Sequence, residues 1–147
     1  DNKLSWKANT LALYNKGQQR LYFLRKLRAF NVDQVMLHLF YRTLIQSVIT
    51  FCFHAWYGNL SLSLKNKINS IVKVSSKICG IPLYNVTDLF ESRAVKKALV
   101  IQADPSHFLN NQFQLLPSGR RLKIPLYKNN RTSKSFIPCS IRILNKS

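Results

Sequence analysis

The 147-residue chain carries 23 Lys and Arg against 5 Asp and Glu, a formal charge of +18, and is 46% apolar. That length admits one domain with a hydrophobic core plus a tail, and excludes two domains of ordinary size. The apolar share excludes a wholly disordered chain, and the charge calls for a polyanionic partner, of which nucleic acid is the commonest.

Helical periodicity dominates the first hundred residues. From about Ser5 to Phe30, Leu13, Gly17, Leu21 and Leu24 recur at helical steps, while Lys16 and Arg20 share another face. Gly17 weakens that helix by about 1 kcal/mol relative to Ala. A second, more apolar helix is predicted from about Val32 to Tyr57, with Met36, Phe40, Leu44 and Val48 stepping by four toward the core. Gln34, His38, Arg42 and Gln46 then form one polar stripe on an otherwise buried rod.

Gly58 and Asn59 break the pattern, and SLSLKNKINSIVKVSSKICG reads as a third helix with Leu64, Ile68, Ile71, Ser75 and Ile78 inward. Gly80 is placed as its C-cap and Pro82 cannot continue it. Thr87, followed by Asp88 and Glu91, signals a fourth helix, with Phe90, Ala94, Ala98 and Ile101 on one side and Arg93, Lys96 and Lys97 on another. The expected fold is therefore all-α, about a four-helix bundle over residues 1–104, followed by an irregular basic tail over 105–147.

The tail has 8 of the basic residues and none of the acidic ones. Its turn signal, Pro117-Ser118-Gly119, leads into Arg120, Arg121, Lys123, Lys128 and Arg131, interleaved with Tyr127 and Phe136. Cations for phosphates beside rings for base stacking are the ingredients of a sequence-tolerant nucleic-acid groove. Pro125 and Pro138 argue against a long helix there.

No self-contained active site is legible. Paired carboxylates for two-metal nucleotidyl transfer, a P-loop, G-x-S-x-G, H-E-x-x-H and H-x-D are all missing from the chain. Cys52, Cys79 and Cys139 are odd in number and far apart, which predicts free thiols in a reducing compartment. No metal site and no cofactor are expected, and the chain is read as an intracellular, nuclear protein without catalysis of its own. Its opening on Asp1 in place of Met reads as a fragment of something longer.

Seven stretches in register, LSWKANT, QQRLYFLRKLRAF, FYRTLIQSVITFCFHAWYGN, KICGIPL, LFESR, LLPSGRR and SFIPCSIRILN, resemble the C-terminal part of reverse transcriptases from non-LTR (LINE-type) retrotransposons. The resemblance implies a helical thumb and a basic extension that clamp RNA template and cDNA, an RNA–DNA hybrid, against the palm of a parent polymerase, with no membrane involved. On that reading Lys16, Arg20, Arg25 and Lys26 of the first helix, Arg93, Lys96 and Lys97 of the fourth, and Arg120, Arg121, Lys123, Lys128 and Arg131 contact phosphates. The chain departs from that pattern at Gly17, where Ala is usual, at Gln46, where Glu is usual, and at FLNNQF, where a Pro-Gly-His run is usual.

Residues from about Thr10 to Cys52 also resemble the N-terminal segment of AlkB homologue 8, a name linked to 2-oxoglutarate-dependent dioxygenase and methyltransferase activity. A third reading is a basic helical module on an anionic membrane or an acidic partner.

Overall fold

A computed structural model describes residues 6–146, so Asp1 and Ser5, where the first helix was expected to start, lie outside the described residues. Among the described residues the fold is all-α, with no strand and one isolated bridge, Leu115 to Leu122. The chain forms two compact units, Asp1–Phe53 with Leu60–Thr87, and His54–Asn59 with Asp88–Ser147.

The first unit is built on α1 (Lys7–Ala29), which buries Thr10, Gly17, Leu21 and Leu24. Its C-terminus closes in a Schellman arrangement: Asn31 takes the left-handed region at φ 55°, its N–H reaches the Arg28 carbonyl, and Val32 N–H reaches that of Leu27. Asparagine supplies the left-handed residue where glycine is usual. Asp33 then caps α2 (Gln34–Phe40), its carboxylate accepting from Val35 N–H at 3.0 Å.

The predicted second helix does not run unbroken. After α2 come a π-helical stretch, Tyr41–Gln46, the short α3 (Ser47–Ile49), and then turns at 50–52 where Cys52 sits at φ 48°. Its buried residues are Leu37, Tyr41, Ile45 and Ile49, one position on from the expected stripe. Met36 is 56% exposed and Leu44 43%, so the rod is buried along one face only. A four-residue stripe drifts by about 40° per step on a helix of 3.6 residues per turn. The wider π-turn takes up that drift and keeps the four apolar residues in line.

The third predicted helix is confirmed as α4 (Phe53–Trp56) gives way to a 3₁₀ turn and then α5 (Leu62–Cys79). α5 buries Ile68, Ile71, Val72, Ser75 and Cys79, with Leu64 and Ile78 half-buried. Gly80 caps it in the left-handed region at φ 71°, and the Gln34 side-chain amide donates to the carbonyls of Cys79 (2.9 Å) and Gly80 (3.2 Å). The start of α2 is thereby fastened to the end of α5. Gln34–Asn59 is apolar enough, by length and composition alone, to cross a membrane. Here it is interrupted at 50–52, and Leu37, Tyr41, Ile45 and Ile49 are taken up by a protein core.

Gly17 has a packing reason in addition to its propensity penalty. A Cβ there would overlap the Ile71 Cδ1 methyl of α5, so α1 and α5 approach closely because this position has no side chain. Gly17→Ala gains about 1 kcal/mol of helix propensity and loses roughly 1–3 kcal/mol to overpacking, for a net destabilisation of about 1 kcal/mol by urea unfolding. Placed on Ile71→Val, which lacks the offending methyl, the same Ala stabilises. A gain from Gly17→Ala in the native background would contradict the close approach.

The second unit is organised by α6 (Val86–Ala103), which starts before the expected Thr87. Asn85 Oδ1 accepts from Thr87 N–H and Asn69 Oδ1 accepts from Val86 N–H, so asparagines cap the helix and Thr87 lies inside it. The other end is capped from a distance: Asn110 Nδ2 reaches the carbonyls of Ile101 (3.0 Å), Gln102 (3.2 Å) and Asp104 (3.1 Å), where the helix has run out of i+4 amide partners.

The basic tail is irregular over 114–129 and helical beyond, in α7 (Asn130–Ser133) and α8 (Phe136–Leu144). Pro138 occupies the first turn of α8, where its missing N–H costs nothing, so it permits a short helix after all. Ala98 and Ile101 of α6 form one buried cluster with Phe113, Leu122 and Ile141, and Leu109, Phe136, Ile137 and Leu144 pack around it. The tail supplies most of that core.

Candidate nucleic-acid interface

Each unit is strongly basic by itself, with 12 Lys and Arg to 2 acids in the first and 11 to 3 in the second. Within the first unit, Lys16 is exposed and Arg20 half-buried, about 40° apart around α1, whereas Arg25 lies about 140° from Arg20. The four expected contacts of α1 therefore do not share one face. Arg20 is also engaged, its guanidinium donating to the Leu44 carbonyl. Lys26 is exposed, with its ammonium 5.6 Å from the centre of the Tyr22 ring.

Beside them lies an apolar groove of about 410 Å³, walled by Phe23, Phe30, Phe40 and Leu44 and flanked by Arg20 and Lys26. A second cation and ring meet between α1 and α5, where Lys67 Nζ sits 5.1 Å from the Tyr14 ring centre and Gln18 donates to the Tyr14 hydroxyl. The Lys67–Tyr14 pairing was not legible in the sequence, because it joins residues of two helices, whereas Lys26 and Tyr22 stand one turn apart on α1.

In the second unit, Arg93 and Lys97 of α6 are about 40° apart, and Lys96 lies about 60° to the other side of Arg93, so the three share one broad side of the helix. Arg93 and Lys97 bear on His54, which stacks edge-on with Phe136 at 5.0 Å and lies 6.2 Å from Phe90. Burial pushes the His54 pKa down; a backbone hydrogen bond at Arg93 opposes this, and the charges of Lys97 and Arg93 lower it further. Its Nε2 is buried without a hydrogen-bond partner.

Because the folded pKa lies below the unfolded value of about 6.5, the unfolded chain binds more protons in the interval between them. Stability contributed here is complete above about pH 6.5 and is lost as pH falls through the folded pKa. The thermal midpoint is expected to be lower at pH 5 than at pH 7.5, and His54→Phe, which suits the aromatic surroundings, removes that part of the dependence. An unchanged pH profile in the variant would exclude the assignment.

The most developed basic feature is the turn at 114–123. Leu116 N–H bonds to the Arg121 carbonyl and Lys123 N–H to that of Gln114, at 2.8 and 2.7 Å, and Gly119 takes φ 69° at the tip. Leu122 points inward while Arg120, Arg121 and Lys123 are exposed. The side chain of Asn145, just past α8, holds Leu122 from both sides: Oδ1 accepts its N–H at 2.9 Å and Nδ2 donates to its carbonyl at 3.0 Å. A side-chain amide thus supplies both bonds of a neighbouring strand, and the arginines are mounted on a fixed base. Lys128 and Arg131 are exposed further on. Arg142, absent from the expected contacts, is spent on the Ser133 carbonyl at 2.7 Å.

The groups that could support catalysis are dispersed. Among the described residues no three of His, Cys, Asp and Glu come together, so no donor set for iron or zinc is present in this part of the chain. Cys52, Cys79 and Cys139 form no disulfide, and the Cys139 thiol donates to the Lys134 carbonyl at 3.2 Å. Burial raises the Cys79 thiol, with Arg28 opposing, and pushes the Tyr41 phenol up to about 12 with Cys79 adding to the rise. Asp104 is held low by hydrogen bonds from Ser106 and serves a turn.

The family model described as alkylated DNA repair protein alkB homolog 8, N-terminal, matches residues 6–47. That is less than a third of the chain. The matched stretch covers α1, α2 and the π-turn, all in the first unit. No curated protein and no solved structure matches the chain. The resemblance to AlkB homologue 8 is supported over this segment, and the resemblance to retrotransposon reverse transcriptases receives no support from these comparisons.

Proposed function

We propose that this chain is a nucleic-acid-binding helical module, similar over residues 6–47 to the N-terminal segment of AlkB homologue 8, which grips backbone phosphates and performs no catalysis itself. The observation that carries the proposal is the clamped basic turn of the second unit, where Arg120, Arg121 and Lys123 stand outward on a base fixed by Asn145. Fixed cations lose less conformational freedom on meeting phosphate than cations on a loose tail. The excess of basic residues in each unit supports the same reading.

The matched family name speaks of DNA repair, and brings a nucleic-acid context to this chain as part of the proposal. Dioxygenase or methyltransferase chemistry is not carried over from that name as part of the proposal. A nuclear, intracellular setting follows from the same partner. The reverse transcriptase reading rests on the seven sequence stretches alone, and the palm of a parent polymerase is a partner only within it.

The test is affinity for an RNA–DNA hybrid, single-stranded RNA and acidic lipid vesicles, each from about 50 to 200 mM salt, where binding through 6–10 phosphates weakens by about 10³–10⁵. Nucleic acid is expected to bind more tightly than vesicles and to weaken steeply with salt. Tighter binding to vesicles, or nucleic-acid affinity indifferent to salt, overturns the proposal. Calorimetric titration with ferrous iron and S-adenosylmethionine separates the enzymatic reading, which requires one of them to bind.

A further inference from the structure

The face of the second unit beside the basic turn holds a groove of about 350 Å³ that the phosphate reading does not use. Its polar lining consists of three carboxamides, Asn111, Gln112 and Gln114, together with the Lys123 ammonium. No carboxylate lines it. The remaining wall is Ile124, Pro125 and Leu126, and Leu126 is fully exposed at 101%, an apolar side chain that gains by being covered.

We infer that this groove seats one unpaired nucleobase of a single-stranded nucleic acid, with Gln112 and Gln114 reading its edge and Arg120 and Arg121 holding the flanking phosphates. The inference rests on the nucleic-acid reading above and adds to it the class of strand that is bound. A carboxamide carries two donors and an acceptor, the complement of the donor and acceptor pairs on base edges. The volume is at the lower end of the roughly 300–1,000 Å³ typical of small-molecule sites, room for a single nucleotide.

Placement supports the assignment. Gln114 and Lys123 face each other across the turn, their backbones joined by the 2.7 Å bond from Lys123 N–H to the Gln114 carbonyl. Their side chains are exposed at the groove, and Arg120 and Arg121 follow within the same turn. Gln112 lies in a 3₁₀ turn, Asn110–Gln112, which Asn110 ties to the end of α6. Amides and cations are thus held by two anchored segments. Bases within a duplex are stacked and already paired, so only a strand with free bases can enter.

The experiment measures the full chain against labelled octamers of single-stranded RNA and DNA and against a 20-base-pair duplex, beside the double variant Gln112→Ala/Gln114→Ala. Both glutamines are exposed, so the variant is expected to keep its thermal midpoint. The expected result is a preference of at least tenfold for an octamer over the duplex, lost in the variant, with the slope of log affinity against log salt unchanged because no charge was removed. An RNA-only or DNA-only preference identifies the sugar that the site accepts and supports the inference equally. If octamers and duplex bind alike and the variant is silent, the base-seating inference is overturned while the phosphate-binding proposal stands. If no nucleic acid binds at about 50 mM salt, both fall together.

Discussion

A chain ending at Asp104 is expected to lose its second folded unit. The residues removed include Phe113, Leu122 and Ile141, three of the five members of the buried cluster whose other two, Ala98 and Ile101, sit on α6. At roughly 1.5–3 kcal/mol for each fully buried large apolar side chain, the loss is about 5–9 kcal/mol, comparable with the whole stability of a domain at about 5–15 kcal/mol. Asn110, whose amide caps the end of α6, is lost as well. Amide hydrogen exchange is the measure: protection across 88–103 should collapse in the shortened chain, and Ile141→Asp should do the same at full length. Retained protection in α6 would show that the cluster does not hold this unit together. The consequence for function is practical, because truncation removes charge and fold at once.

Point neutralisation separates the two. Replacing Arg120, Arg121, Lys123 and Lys128 together by Gln removes four exposed cations and leaves Leu122 and its bonds to Asn145 in place. If each contacts one phosphate of a single strand, the slope of log affinity against log salt falls by about 0.7 per contact, about 3 in all, which amounts to roughly a hundred- to a thousandfold loss at 100 mM salt. The thermal midpoint should hold or rise, since like charges have been removed from a strongly basic unit. An affinity within threefold of the native chain places the nucleic-acid contact elsewhere, and α1 with α6 would then be the faces to neutralise next.

What the sequence revealed depended on how local the signal was. α5 and its Gly80 cap were legible because one apolar stripe, one glycine and one proline agree. α2 was misread by one position because two stripes compete there, Met36/Phe40/Leu44/Val48 and Leu37/Tyr41/Ile45/Ile49, and both are apolar. Packing against α1 and α5 decides between them, and periodicity alone carries no such information. α8 was hidden by Pro138 and by the charge of its surroundings, although FIPCSIRIL is apolar enough to be a core helix.

The exposed cations were legible as types, and their convergence was not. Lys16 and Arg25 look equivalent in a list of charges yet face different ways around one helix. The clamp at Leu122 joins residues 23 apart in sequence, through an asparagine that composition does not distinguish from any other. The amides of NNQFQ are visible in the sequence, but nothing local there shows the turn that brings Lys123 alongside them.

The interleaving of the two units also sets an order of assembly as the chain is made. His54–Asn59 belongs to the second unit but is synthesised ahead of Leu60–Thr87, which completes the first. At about 5–20 residues per second, this hexapeptide, with Trp56 and Tyr57 destined for burial, waits several seconds for Phe90 and longer for Phe136. The arginine turn waits longer still, since Leu122 has no fixed support until Asn145 has been added. In the interval the nascent chain presents unburied rings and an unanchored basic loop, a state suited to a chaperone before it is suited to a nucleic acid.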